Sequence, residues 1–209
     1  MKRITIIMII AVVFCSAVYS QFTVGPKVGG NYSKFAYNNK YLDTKSRYGF
    51  QIGGFVKYDV TSSWFVQSEL MYARHRAFND LKFGDYGGFI LADGFTVISD
   101  YLLIPVVGGY HLGNSGFYIE AGFQPGVYLH SHYSIQSKNW ELDFNKTYLE
   151  DWKSMVVSLT GGLGYDFGNG LSFSVRYCHG LTDSSLALER IGSRHRSFQF
   201  SVAYNLLSF

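Results

Sequence analysis

The segment from residue 46 to residue 60 alternates between apolar and polar side chains. Its even positions are mostly apolar or aromatic: Tyr48, Phe50, Ile52, Val56, Tyr58 and Val60. Its odd positions include the polar and charged residues Arg47, Gln51, Lys57 and Asp59. Because successive side chains of a strand point to opposite faces, this pattern predicts a strand with one apolar and one polar surface. Similar segments recur along almost the whole chain, which indicates an all-β fold.

Eight segments of this kind follow one another. They lie at about 21–33, 46–60, 64–74, 96–110, 117–130, 153–167, 171–180 and 195–207. The connections between them alternate between long (34–45, 75–95, 131–152, 181–194) and short (61–63, 111–116, 168–170). Outer-membrane barrels have short periplasmic turns and long external loops, so the alternation places all long connections at the external rim. The sequence therefore predicts an eight-stranded, antiparallel, up-and-down transmembrane β-barrel.

The composition suits such a barrel. Charged residues make up 16% of the chain, below the roughly 25% of soluble proteins, and aromatic residues make up 18%. An open sheet edge is not viable in lipid, so we expect closure, and eight strands leave an interior that side chains just fill. A soluble lipocalin-like barrel, with its apolar faces inward, is the alternative. It is disfavoured because the opposite face carries few charges for a wall in contact with water.

Residues 1–20 form a separate unit. Lys2 and Arg3 precede an apolar stretch that ends at Phe14, and this stretch is shorter than the ~20 residues of a spanning helix. The pattern predicts a signal peptide cleaved after Ser20, with a barrel domain at 21–209 in the bacterial outer membrane. Without residues 1–20 the formal charge falls from +3 to about +1, too little to indicate nucleic-acid binding. Cys178 is then the only cysteine, which excludes an intramolecular disulfide.

Three short motifs resemble one known family. Residues 24–33, VGPKVGGNYS, resemble the opening G-x-K-x-G-x-N-x-S of the PorT-like outer-membrane barrel family of Bacteroidetes. Residues 101–105, YLLIP, and 117–122, FYIEAG, resemble that family's Y-L-E-I-P and F-Y-L-E-A-G. The resemblance spans nearly all of the chain after residue 20 and implies an outer-membrane barrel, while it says almost nothing about function. Leu103 stands where the family often has an acidic residue.

The final residue, Phe209, resembles the terminal aromatic residue that barrel-insertion machinery reads. The apolar face of the last strand is even-numbered through Leu206, so Phe209 is out of phase with it. A bulge or a frayed end is therefore needed if Phe209 is to lie on the apolar face.

The predicted inward faces carry six charged residues: Lys27, Lys57, Glu69, Glu120, Asp166 and Arg176. A charge in a narrow lumen needs a partner or water. We expect these residues to form a structural polar network that plugs the lumen. A narrow channel or proton path is the alternative.

A basic tripeptide occurs twice, once at the predicted end of the third strand and once at the predicted start of the eighth. Its residues are Arg74, His75, Arg76, Arg194, His195 and Arg196. Arginine suits phosphate because its planar fork donates two hydrogen bonds at once. We therefore expect contacts with anions or lipid headgroups at the external rim, including lipopolysaccharide. The two tripeptides are not neighbours in the barrel order, so they need not form one patch.

Two further patterns carry weaker chemistry. His130 and His132 share a strand face, but no third metal ligand is close in sequence, so a rim role is favoured and no metal or cofactor is expected. A lipid-modifying enzyme would need a Ser, a His and an acid together on the outer wall. His179 comes closest to Ser172 and Ser174, but these residues are predicted to face opposite ways, so the chain is not expected to be an enzyme.

The favoured function is a structural or partner-binding role carried by the external loops 75–95 and 131–152, which are rich in aromatic residues and charge. The expected partners are outer-membrane lipids and lipopolysaccharide, the barrel-insertion machinery, and an extracellular or envelope protein. A narrow channel and a lipid-modifying enzyme remain the alternatives.

Overall fold

The computed structural model of the chain describes residues 21–37, 42–81, 94–137, 140–144, 155–183 and 193–209. Its strands are β1 (Phe22–Tyr37), β2 (Leu42–Asp59), β3 (Trp64–Leu81), β4 (Gly94–Leu103), β5 (Val106–His111), β6 (Phe117–Ser137), β7 (Trp140–Phe144), β8 (Met155–Asp166), β9 (Leu171–Asp183), β10 (Ser193–Tyr204) and β11 (Leu207–Ser208). Within these ranges, no helix is long and apolar enough to cross a membrane.

The strands form a closed antiparallel barrel with eight strand positions around its circumference, and we call each position a stave. β4 and β5 act as one stave, because both lie between β3 and β6 and are separated only at Ile104 and Pro105. Hydrogen bonding continues through this break: the Glu69 amide donates to the Pro105 carbonyl and the Ile104 amide to the Pro125 carbonyl, both 2.8–2.9 Å long. β10 pairs with β1 and closes the ring. The predicted fold is confirmed.

Apolar side chains cover the outer wall and polar side chains fill the interior. Residues such as Ile52 and Leu163 are more than half exposed, whereas Asn31, Gln51 and Gln199 are almost fully buried inside. This arrangement is the reverse of a lipocalin, in which the apolar side chains point inward. The lipocalin-like alternative is therefore wrong.

Aromatic pairs border the apolar wall at both ends. At the short-turn end they are Phe22–Tyr58, Trp64–Tyr110 and Phe117–Tyr165, with ring centroids 4.7–4.9 Å apart. At the long-connection end they are Tyr32–Tyr48, Phe50–Tyr72 and Tyr177–Phe198, at 4.8–6.0 Å. Between the two girdles β3 runs from Trp64 to Tyr72, about nine residues, which is the length that a tilted strand needs to cross the hydrocarbon.

The strands extend further at the long-connection end than the sequence predicts. The expected connection 34–45 is shorter, because β1 continues to Tyr37 and β2 begins at Leu42. Likewise, the expected connections 75–95 and 181–194 begin later and end earlier, since β3 continues to Leu81 and β9 to Asp183. Of the expected connection 131–152, the first part belongs to β6 and to β7, which pairs back onto β6. Beyond the lipid the outer face no longer has to be apolar, so alternation ceases to mark the strand.

The alternation of inward and outward side chains shifts by one residue before the end of the chain, as is needed for Phe209 to lie on the apolar face. β10 ends at Tyr204, and β11 then pairs with the start of β1, with Leu207 opposite Val24. The backbones of Phe22 and Phe209 exchange two hydrogen bonds, of 3.2 and 2.8 Å. Both Leu207 and Phe209 are at least half exposed. The predicted irregularity near the end of the strand is thus confirmed, and Asn205 and Leu206 contain it.

Candidate functional site

Four buried charged residues meet in the interior, one from every second stave of the barrel. They are Lys27 on β1, Glu69 on β3, Glu120 on β6 and Arg176 on β9, each at most 5% exposed. Lys27 Nζ lies 2.8 Å from Glu69 Oε1, and Arg176 Nη2 lies 2.7 Å from the same oxygen. Arg176 also contacts Glu120 through Nε at 2.5 Å and Nη2 at 2.8 Å. These ion pairs connect four alternate staves across the interior.

Small residues on the staves in between make room for these long side chains. Gly162 on β8 pairs with Glu120 on one side and with Arg176 on the other. A Cβ at Gly162 would collide with the backbone of β9 and crowd the Arg176 side chain. The missing side chain therefore lets Glu120 and Arg176 reach each other across β8.

The network balances its charges and satisfies them with hydrogen bonds. It contains two cations and two carboxylates, and Glu69 Oε1 accepts a further hydrogen bond from Gln67 Nε2 at 2.6 Å. Taking charges out of water is costly, and the cost is offset only when each charge has well-placed partners. Loss of one member would leave an uncompensated charge inside the barrel.

The other two predicted interior charges lie apart from this network, towards the short-turn end. Lys57 lies over the Phe65 ring at 5.6 Å and 3.9 Å from Asp59, and its side chain is 13% exposed. Asp166 lies 3.9 Å from His111 and is 29% exposed. Lys57 and Asp166 line a small cavity next to the network.

On the other side of the network, buried polar residues such as Gln51 and Gln199 lie alongside an apolar cluster. This cluster consists of Met71, Ala73, Ala77, Val97, Tyr101, Leu103 and Tyr128, with Val156 packed against it. A second small cavity there is lined in part by Tyr101, Leu103 and Gln124. Leu103, at the position that the family resemblance marks as often acidic, faces this apolar region.

The two histidines of the basic tripeptides meet inside the barrel, which corrects their predicted place at the rim. The rings of His75 and His195 are 4.3 Å apart, and His75 Nδ1 lies 3.1 Å from Asn31 Oδ1. His75 is only 2% exposed, so it is not available to a lipid headgroup. The two tripeptides also neither end nor open a stave: β3 continues past Arg76 to Leu81, and β10 begins at Ser193.

The arginines of the first tripeptide face the outer wall. Arg74 forms a two-point contact with Asp100, Nε to Oδ1 and Nη2 to Oδ2, both at 2.8 Å, and its Nη2 also donates to Tyr72 at 3.2 Å. Arg76 is exposed, and Arg196, on a distant stave, is half-buried. The side chain of Arg194 lies outside the described part of the chain.

The remaining candidates do not assemble into a metal or catalytic centre. His130 Nδ1 lies 3.4 Å from Asp100 Oδ2, but the described residues contain no group of three or more His, Cys, Asp or Glu that could hold a metal ion. His179 lies beside Tyr177 on the outer wall, whereas Ser174 is buried inside. Sequence reasoning missed Asp100, whose only signal is the weak alternation of the fourth segment.

A closed eight-stranded barrel with an apolar outer wall, two aromatic girdles and a polar interior defines a transmembrane β-barrel of the outer-membrane class. The chain belongs to the outer membrane protein beta-barrel domain family, which it matches over residues 16–186.

Two solved structures have a similar fold. The attachment invasion locus protein Ail of Yersinia pestis is 13% identical, with a TM-score of 0.52, and the match covers 88% of this chain and 98% of Ail. Ail in complex with the heparin analogue sucrose octasulfate is 12% identical over the same shares, with a TM-score of 0.50. At these identities the likeness concerns the fold alone. No curated protein sequence matches the chain significantly.

Proposed function

We propose that this protein is a non-conducting outer-membrane barrel that acts by binding at its long-connection end. The charge network formed by Lys27, Glu69, Glu120 and Arg176 carries this proposal. In a barrel of eight staves the lumen is only wide enough for side chains. We infer that ion pairs joining alternate staves close the water path at that level and act as a structural plug.

Several narrower assignments accompany the proposal. The chain is exported with a signal peptide cleaved after Ser20 and is PorT-like within its family. Its long connections face outward and carry the recognition of an extracellular or envelope partner, while Arg74, Arg76 and Arg196 contact headgroup anions at the rim. The protein has no catalytic role, in keeping with the separation of His179 from the interior serines.

A narrow channel is the second candidate. The observation that favours it is the pair of small cavities on either side of the network, lined by polar groups that include Lys57 and Asp166 at one end and Gln124 at the other. Such a channel would open only if the ion pairs between the cavities separate.

Planar-bilayer recording on the purified full-length protein tests the proposal. Folding is checked first by the mobility shift between boiled and unboiled samples on a gel. We expect no discrete conductance steps from the folded protein. Steps that change in size with Arg176→Met or Glu120→Gln would instead establish the channel. An altered lipid A or phospholipid profile in expressing cells, abolished by His130→Gln or His179→Gln, would establish an enzyme.

A further inference from the structure

We propose that one side of the barrel, the outer wall of β2, β3, β4 and β6 at the long-connection end, is a binding site for the phosphate groups of lipopolysaccharide. This inference rests on the proposed function, because it takes the long-connection end as external. It goes further by naming one wall, its residues and one ligand. We call this surface the basic wall; its cations are Lys45, Arg47, Arg74 and Arg76, with His130 and His132 beside them.

A bulge in β2 turns two of these cations outward. The alternation of β2 places Gln51 inside, and if it continued unbroken, Arg47 and Lys45 would also face inward. Between Ser46 and Phe50, however, β2 has one residue more than β3 opposite it. The extra residue reverses the phase, so Ser46 pairs with the buried Ala77 and the flanking Arg47 and Lys45 are exposed. A bulge of this kind re-aims side chains at the end of a barrel.

A second bulge does the same in β6. Asp100 of β4 pairs with His130, whereas the next residue, Tyr101, pairs with Tyr128, so Leu129 is the extra residue. Without it, His130 would follow the buried Tyr128 into the interior. With it, the His130 side chain is 46% exposed on the outer wall, and Ser131 takes the inward position at 1%. The two bulges lie on the same wall and at the same height. The first turns Lys45 and Arg47 outward, and the second turns His130 outward.

A buried carboxylate anchors the centre of the basic wall. Asp100 belongs to a row of paired residues that runs across the wall from Phe50 on β2 through Arg74 on β3 to His130 on β6. Although it lies on the outer face, its side chain is only 1% exposed, because Arg74 and His130 cover it. Two hydrogen bonds to Asp100 fix the Arg74 guanidinium at the centre of the basic wall. The exposed Arg76, two residues further along β3, is available to a ligand.

Aromatic rings brace the other cations. Arg47 lies over the Phe78 ring at 5.2 Å and Lys45 over the same ring at 5.8 Å, while Arg74 lies over Phe50 at 5.8 Å. Stacking on a ring reduces the freedom of a long cationic side chain and leaves its outer edge open for hydrogen bonds. Among the described residues, neither Arg47 nor Arg76 forms an ion pair.

The height of the basic wall matches a lipid phosphate. Tyr72 belongs to the aromatic girdle, and Arg74 and Arg76 follow it by one and two outward positions on β3. Successive outward positions are about 7 Å apart, so the cations lie directly above the hydrocarbon. Three arginines lie on this wall, and among the described residues Arg74 is paired with a carboxylate while Arg47 and Arg76 are not, which favours an anion. The outer wall of the barrel faces membrane lipids, and at the external end of an outer-membrane barrel that lipid is lipopolysaccharide. Its phosphate groups are the groups that arginine side chains bind well.

The test measures binding of diphosphoryl lipid A to the full-length protein, folded in detergent and free of lipopolysaccharide. The variant is Arg47→Gln with Arg76→Gln, which leaves the Arg74–Asp100 pair intact. The matched control is Lys57→Gln, which removes a cation at the short-turn end, away from the basic wall. We expect the double variant to weaken binding by roughly tenfold or more, as loss of two charge-assisted contacts implies, and the control to change it less than about threefold. Dephosphorylated lipid A should bind weakly to wild type and variants alike.

Three results would overturn this inference. The first is an equal loss of lipid A binding in the double variant and in Lys57→Gln, and the second is no loss in either. The third is an equal loss of phosphatidylglycerol binding in the double variant, which would indicate a general phospholipid surface. Each requires that the variants keep the gel mobility shift of the folded barrel. If the wild-type protein shows no shift and fractionates as a soluble protein, the proposed function itself fails. A folded wild-type barrel whose affinity for lipid A does not depend on Arg47 and Arg76 refutes only the present inference.

Discussion

Arg176 of β9 reaches over β8 and holds both carboxylate oxygens of Glu120 on β6, with Nε at 2.5 Å from Oε1 and Nη2 at 2.8 Å from Oε2. The same guanidinium also contacts Glu69, so one side chain connects three of the eight staves. Removal of Arg176 would therefore leave Glu120 without its cation, and Glu69 with Lys27 as its remaining cation.

We expect Arg176→Met to lower the free energy of unfolding by about 3–5 kcal/mol, the cost of an uncompensated buried charge. The measurement is urea unfolding in lipid vesicles, followed by the gel mobility shift. Lys57→Met is the control: its side chain is more exposed and outside the network, and it should cost less than about 1 kcal/mol. Similar losses for the two variants would show that the network does not stabilise the barrel.

Removal of both partners should be milder than removal of one. In Arg176→Met with Glu120→Gln, the remaining Lys27–Glu69 pair is electrically balanced. The double variant should be more stable than the sum of the two single losses implies, by about 1–3 kcal/mol. A cycle of Arg176→Met with Arg196→Gln, which are not in contact, should be additive. Additivity in the first cycle would contradict direct coupling between Arg176 and Glu120.

Two adjacent glycines provide a matched pair for testing the interior packing. Gly109 faces inward under the Phe65 ring, which a Cβ would strike, whereas Gly108 faces outward with no atom within 4 Å of a Cβ. We expect Gly109→Ala to cost about 1–3 kcal/mol of stability through overpacking, and Gly108→Ala to cost little. Phe65→Leu should partly rescue Gly109→Ala. Equal effects of the two alanines would mean that Phe65 does not occupy the predicted place.

The tryptophan of the short-turn girdle reports the depth of the barrel. Trp64 is 56% exposed on the outer wall, and replacement of Trp140 and Trp152 by Phe leaves it as the single tryptophan of the chain. In vesicles of lipids brominated at different depths, we expect the strongest fluorescence quenching from bromines nearest the headgroups. Moving the tryptophan one position inward, with Trp64→Phe and Phe65→Trp, should abolish most quenching. Quenching at position 65 as strong as at 64 would refute the assigned faces.

The sequence predicts the inner and outer faces well where the strands cross lipid. Hydrocarbon on one side and a packed interior on the other impose a period of two, which is visible in Val56, Leu70 or Phe200 without any structure. The same logic anticipates the phase change before Phe209. Where the outer wall meets water the constraint ends, and the true extent of β1 and β3 could not be read from the pattern.

The finer arrangement of the candidate sites was not predictable for two physical reasons. A bulge adds a single residue without a distinctive composition, so the outward turn of Arg47 and His130 becomes visible only in the pairing. Contacts across the lumen depend on how far neighbouring strands are staggered, which sequence spacing does not encode. His75 and His195 are therefore in contact although three steps of pairing separate their staves.

The hydrogen-bond ladder between β1 and β10 joins strands that are far apart in sequence, so it forms later than the ladders between consecutive staves. Consecutive staves are close in sequence and can zip together as hairpins, whereas Lys27 and Ala203 come from opposite ends of the described chain. Until that seam closes, β1 and β10 both present open edges, and each unpaired backbone group in hydrocarbon costs several kcal/mol. We therefore expect entry into the bilayer and closure of the ring to be coupled, with the ladder between β1 and β10 forming last.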